Sequence, residues 1–209
     1  MDTVIVGATE VAHLSKSNGE NGRIDGELML NREAHIAEDL AIHIKNGVIV
    51  KFSSNEEMIH EWGTSSKSSP EVNYIDVEGA AIVPGFVDAH THLLWDGDRS
   101  REMAMKLRGM SYREISEKGL GIASTVSATQ KSSIERMIQI GKERLRRARE
   151  LGTTTLEAKS GYGLDLETEL KMLRASSSLE NNNVTLHHTW LGAHAYPENV
   201  DQDDWDRHL

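Results

Sequence analysis

The chain has 209 residues, of which 38% are hydrophobic and 27% charged, the composition of a protein that buries a real core in one large or two small domains. Its formal net charge of −10 repels phosphate backbones and anionic lipid, which excludes nucleic acid and membrane surfaces as general partners. No cysteine is present, so a disulfide framework, a thiolate zinc site, an iron–sulfur cluster and a cysteine nucleophile are excluded, and any metal must be held by nitrogen and oxygen ligands.

The opening MDTVIVGATE lacks the basic and apolar regions of a secretory signal, and no window reaches the ~18 apolar residues of a membrane span, so a cytoplasmic location is expected. Thr3 to Val6 reads as a strand, followed by a polar stretch from Ser15 to Asn31. In AIHIKNGVIVKF two β-rich runs flank Asn46 and Gly47, the pair preferred by a type I′ turn, which predicts a hairpin. His43, between Ile42 and Ile44, is expected to face solvent. Gly63 to Pro70, GTSSKSSP, reads as a linker-like loop. Residues 1–78 are therefore expected to form a small antiparallel β unit.

From Ala80 the pattern changes. AAIVPGFVDAHTH reads as a buried strand, and helical patterns then alternate with short strands, which predicts βα units on a parallel sheet across 79–209. Ser111 with Glu114 makes a capping box for a short helix ended by Gly119, and Ser132 with Glu135 makes one for a longer helix that Gly152 follows. In the longer helix the basic run Lys142 to Arg149 is interleaved with Glu143 and reads as a solvated face. Thr153 to Ala158 is a second strand. Asp165 caps a helix with Leu166, Leu170 and Leu173 on one stripe, and Val184 to Leu191 is a third strand.

His90 and His92 lie at the end of the first strand of this series, and a side-chain period of two puts both on one face, within reach of one metal ion, with Asp88 on the same parity. Spacing alone favours ordinary strand histidines over a metal pair. The adjacent His187 and His188 point to opposite faces and read as structural, and Glu157 with Lys159 reads as an ion pair. The acidic ENVDQDDWDR lacks the glycine and terminal glutamate of a calcium loop.

PGFVDAHTH resembles the first barrel strand of the amidohydrolase superfamily, whose metal enzymes carry a His-x-His there. HTHLLWDGDR, KSGYGLDLETELKMLR and LGAHA narrow the resemblance to the imidazolonepropionase family, with Ala89 standing where that family is expected often to have proline. It implies an α/β fold: the first part of a metal-dependent-hydrolase (β/α)8 barrel, preceded by a small β-sandwich unit. It also implies a Zn or Fe ion held by His90 and His92, substrate contacts from Arg99, Tyr112, Tyr162 and His194, and His194 as a catalytic group.

The implied substrate is the small molecule 4-imidazolone-5-propanoate, opened to N-formimidoyl-L-glutamate in histidine degradation, and a homodimer is a family-based expectation only. For Arg99 a guanidinium suits the propionate carboxylate; Tyr112 has an alternative role in packing at its helix start. About 130 residues follow the β unit, against about 250 for a whole barrel. The barrel is thus expected to be truncated, with no candidates for the family's later histidine and aspartate ligands and with activity only on completion. The alternatives are a non-catalytic binding or interaction module and a different cyclic-amide amidohydrolase.

Overall fold

Asn46 and Gly47 both take positive φ, 51° and 81°, and so close a hairpin between β4 (Leu40–Lys45) and β5 (Val48–Ser54), as the Asn-Gly pair predicts. The computed structural model describes residues 1–13, 26–63, 71–179, 183–196, 200–201 and 203–205. The expected linker after Gly63 and much of the polar stretch after Ser15 lie outside these residues. The chain divides into two units, Met1–Pro84 and Gly85–Leu209. The division falls after Ile82 because that residue exchanges backbone hydrogen bonds with Glu10 and Ala12, both 2.8 Å, in the first unit.

In the first unit β1 (Asp2–Val6) is central, antiparallel to β4 and parallel to β6 (Val72–Asp76), in the order β5-β4-β1-β6. The parallel β1–β6 pair departs from the antiparallel expectation. A helix between the hairpin and β6, α1 (Asn55–Trp62), allows the crossover; its N-cap Ser54 accepts from the Glu57 amide. Period-two alternation gives the sheet two apolar faces. Val4, Val6 and Ala41 pack with Met58 of α1 on one, while Ile5 and Ile42 join Ala8, Val11 and Ile82 on the other. The pair β2 (Glu10–Ala12) and β3 (Ile36–Glu38) completes the unit. His43 does not face solvent: its Nε2 lies 2.7 Å from Asp2 Oδ1 and its ring 4.7 Å from that of Trp62. The carboxylate and indole give the imidazole a polar partner and an apolar wall, so it packs.

The second unit is a mixed α/β layer. Three parallel strands, β7 (Phe86–Thr91), β8 (Thr153–Lys159) and β9 (Thr185–Thr189), lie in that order. Between β7 and β8 run α2 (Ser100–Leu107), α3 (Tyr112–Ser116), α4 (Ile122–Lys131) and α5 (Ile134–Glu150); α6 (Leu166–Ser177) joins β8 to β9. Leu156 and Ala158 of β8 meet Met137 and Leu145 of α5, Met172 and Ala175 of α6, and Leu93, Leu94 and Leu179. This core covers one sheet face. The Ser111–Glu114 capping box forms in full and Asp165 caps α6 through the Thr168 amide.

Four further expectations are corrected. The strand predicted across AAIVPGFVDAHTH is confined to Phe86–Thr91 and is not buried, with Phe86 56% and Val87 67% exposed, because among the described residues β7 pairs with β8 alone. Ser133, not Ser132, caps α5; the Ser132 hydroxyl instead donates to Asp96 at 3.0 Å. Leu166 is exposed, and α6 turns Thr168, Glu169, Met172, Ala175 and Ser176 inward, since backbone amides of the preceding loop draw Glu169 into the protein. The third strand is shorter than Val184 to Leu191. No helix among the described residues is long and apolar enough to cross a membrane.

Candidate functional site

Parallel strands bring their C-terminal ends to one edge of the sheet, and side chains from three strand ends and their following loops meet there. His92 of the β7 end is at the centre. Its ring centroid lies 6.2 Å from His90, 5.0 Å from Tyr162 and 4.5 Å from His194, and Tyr162 and His194 are 5.5 Å apart. Trp95 stands 6.4 Å from Tyr162. Burial, followed by the proximity of His194, holds His92 below the ordinary histidine pKa, against a backbone hydrogen bond to Ser160, so neutral imidazole is favoured. Its Nδ1 is buried with no hydrogen-bond partner. His90 is exposed.

The loops are fixed by their own sequence chemistry. Tyr162 sits between two glycines because the backbone there must fold around a carboxylate: buried Glu169 accepts from the amides of Gly161 (2.6 Å), Gly163 (2.7 Å) and Leu164 (3.0 Å). Gly161 adopts φ of 118° and a Cβ there would come 2.9 Å from the Cβ of His194, so the glycine admits both the turn and the histidine. The Ser160 hydroxyl accepts from the Leu191 amide at 3.0 Å, tying the β8 loop to the β9 loop. After His92, the guanidinium of Arg144 donates to the carbonyls of Leu93 (2.7 Å) and Trp95 (3.0 Å) and lies 3.9 Å over the Trp95 ring.

Arg99 immediately precedes α2 and makes a two-pronged ion pair with Glu102, Nε to Oε1 at 2.9 Å and Nη2 to Oε2 at 2.7 Å. That pair, chiefly, raises the arginine pKa, with smaller contributions from Tyr112 and Tyr162; conversely Arg99 is the main cause of the lowered Glu102 pKa. Arg99, Tyr112 and Tyr162 therefore share one electrostatic neighbourhood, although Tyr112 is half exposed at the first position of α3. Lys159 donates to Glu157 at 2.7 Å, as does the Thr189 hydroxyl, the ion pair expected from the sequence. His188 meets the Ser176 hydroxyl at 2.8 Å on the helix side, and its neighbour His187 is exposed.

All six sequence-predicted site residues thus lie on this unit, and the structure brings His90, His92, Tyr162 and His194 together most closely. Trp95, Glu102, Arg144 and Glu169 were missed. Trp95 and Glu169 stand inside the motifs quoted above, Arg144 lies in the basic run that reads as a solvated face, and Glu102 falls in a stretch to which the sequence assigns no element.

His90 and His92 suit a borderline divalent ion as two imidazole donors, and the partnerless Nδ1 and suppressed protonation of His92 fit that use. They supply only a share of a coordination shell. No group of three or more His, Cys, Asp or Glu able to hold a metal occurs among the described residues.

No protein-family model matches the chain. It is 39% identical over 203 residues to the imidazolonepropionase of Bacillus mycoides (strain KBAB4) and 40% identical to that of Bacillus cereus (strain ZK / E33L), each alignment covering 95% of this chain and 44% of the relative. The chain therefore spans less than half the length of these curated relatives. Among solved structures, a triazine hydrolase from Arthobacter aurescens superposes with TM-score 0.54 at 18% identity over 90% of this chain and 35% of that one. An uncharacterized metal-dependent hydrolase from Pyrococcus furiosus gives 0.51 at 11% identity over 91% and 50%. Over almost its whole length the chain is thus homologous to the N-terminal part of these imidazolonepropionases, and it shares its fold with the two hydrolase structures.

Proposed function

We propose that this chain is the N-terminal half of a metal-dependent imidazolonepropionase, composed of part of a β-sandwich and the first three βα units of a (β/α)8 barrel. It adds water to 4-imidazolone-5-propanoate in histidine degradation, in the cytoplasm, and does so only when the rest of the barrel is supplied. The observation that carries this reading is the convergence of His90, His92, Tyr162 and His194 at the C-terminal ends of parallel strands, with Arg99 in the same electrostatic neighbourhood. Homology to imidazolonepropionases supports the choice of substrate.

In this reaction water oxygen bonds to the ring carbonyl carbon, the C–N bond to the amide nitrogen breaks, the nitrogen takes up a proton and the carbon leaves as a carboxylate. His90 and His92 would hold a Zn or Fe ion jointly with ligands from the missing half, and the ion would supply the Lewis acidity that makes water nucleophilic at neutral pH. Arg99 binds the propionate, as a guanidinium matches a carboxylate with two parallel N–H donors. The Tyr162 phenol fixes the ring and Tyr112 closes the side nearest Arg99. His194 donates to the carbonyl oxygen as negative charge develops there.

The test is complementation. Co-expressed with the C-terminal part of the Bacillus mycoides imidazolonepropionase and metal, the chain restores loss of the imidazolone absorbance, and His90→Ala or His92→Ala abolishes it. A correctly folded, metal-loaded complex without turnover sinks the reading.

A further inference from the structure

Arg99 is not a free guanidinium. Its Nε and Nη2 are both engaged by Glu102, at 2.9 and 2.7 Å, and the Glu102 side chain is 4% exposed against 32% for Arg99. Glu102 is itself held, because its Oε1 also accepts from the Gly121 amide at 2.7 Å, and a Cβ at Gly121 would come 3.3 Å from the hydroxyl of Tyr112. Both carboxylate oxygens are thus committed, and three hydrogen bonds tie this buried group in the first turn of α2 to the arginine fork, twice, and to the start of α4. An ion pair in such surroundings is directional as well as attractive, since rotating either plane breaks two charge-assisted bonds at once. A planar guanidinium with one edge occupied still has Nη1 and the second Nη2 hydrogen, which form the opposite edge.

We propose that Glu102 is the positioning residue for Arg99, holding its Nε/Nη2 edge so that the Nη1/Nη2 edge is offered, in one fixed orientation, to the carboxylate of the substrate. This rests on the ring-opening reading above, with Arg99 as the propionate contact. Glu102 never touches the substrate. It takes the orientational cost of the arginine fork out of the binding step, so its loss weakens capture of the carboxylate rather than the chemistry at the ring.

The experiment compares steady-state kinetics of the complemented enzyme carrying no substitution, Glu102→Gln, Arg99→Met, or both. Glu102→Gln is expected to raise KM about tenfold with kcat within about twofold, and the double variant to be no worse than Arg99→Met alone, because the two residues act as a unit. Equal loss in kcat and kcat/KM, unchanged KM, or additive effects in the double variant overturn the proposal while leaving the reaction assignment standing. Absence of ring opening in the unsubstituted complex overturns the assignment instead. A second measurement needs no turnover: solvent exchange of the Arg99 Nε–H by 15N NMR in the complemented enzyme, with the signal assigned from a folded Arg99→Lys variant. Protection of about tenfold or more over free arginine is expected of a fork pinned by a buried carboxylate; exchange at the free rate overturns the positioning role.

Discussion

His92 and His194 stand with ring centroids 4.5 Å apart and planes tilted by 48°, one at the end of β7 and the other in the short 3-10 turn after β9. Two imidazolium ions at that spacing repel, so a charge on His194 opposes protonation of His92. Burial of His92 acts in the same direction and is the larger cause of its lowered pKa. An NMR titration is expected to give His92 a midpoint below the ordinary 6.5, and His194→Gln is expected to raise that midpoint. The linkage has a definite sign: as pH falls below 6.5 the unfolded chain takes up the proton first, so stability declines until the folded group titrates too. A midpoint at or above 6.5, or one that His194→Gln leaves in place, contradicts the coupling.

The loop that carries Tyr162 hangs on Glu169. Removing a fully buried acceptor leaves the amides of Gly161, Gly163 and Leu164 desolvated and unpaired, so Glu169→Ala is expected to cost about 3 kcal/mol or more in urea unfolding. Glu169→Gln keeps one carbonyl acceptor and is expected to cost about half as much. A loss under about 1 kcal/mol for the alanine variant means that water replaces the carboxylate and that the loop holds itself.

These two glutamates mark where sequence reading stops. Asn46 and Gly47, the Ser111–Glu114 box, Asp165 as a cap and the α5 and β8 segments were legible because each is decided by neighbours a few residues away. Strand parity likewise put His90 and His92 on one face, and the motifs singled out Tyr162 and His194. What failed depends on distant partners. Glu102 and Glu169 look like solvated helix charges until the Gly121 amide and the Gly161–Leu164 loop fold against them. Phe86 and Val87 look like core until their strand is seen to have one neighbour among the described residues. His43 looked solvated until Asp2 and Trp62 closed over it. The signal for α1, Ser54 with Glu57, is masked by the hairpin and the Gly-Ser run on either side, both of which carry turn chemistry.

Arg144 offers the sharpest separation of shape from charge. Its Nη1 donates to two carbonyls, Leu93 at 2.7 Å and Trp95 at 3.0 Å, while its Cζ lies 3.9 Å from the indole centroid, and burial lowers its pKa, so its charge is costly where it stands. A lysine keeps the charge but replaces a flat fork with a point, which cannot stack on Trp95 in the same way. Arg144→Lys is therefore expected to lose about 1–2 kcal/mol of stability and Arg144→Met somewhat more, as methionine strands both carbonyls. Because Leu93 to Trp95 follow His92 directly, both variants are also expected to shift and broaden the 19F signal of 5-fluorotryptophan at position 95, assigned through Trp95→Phe. If Arg144→Lys leaves that signal and the stability unchanged, charge rather than the planar fork holds the loop, and the path from α5 to the His90–His92 pair does not run through this arginine.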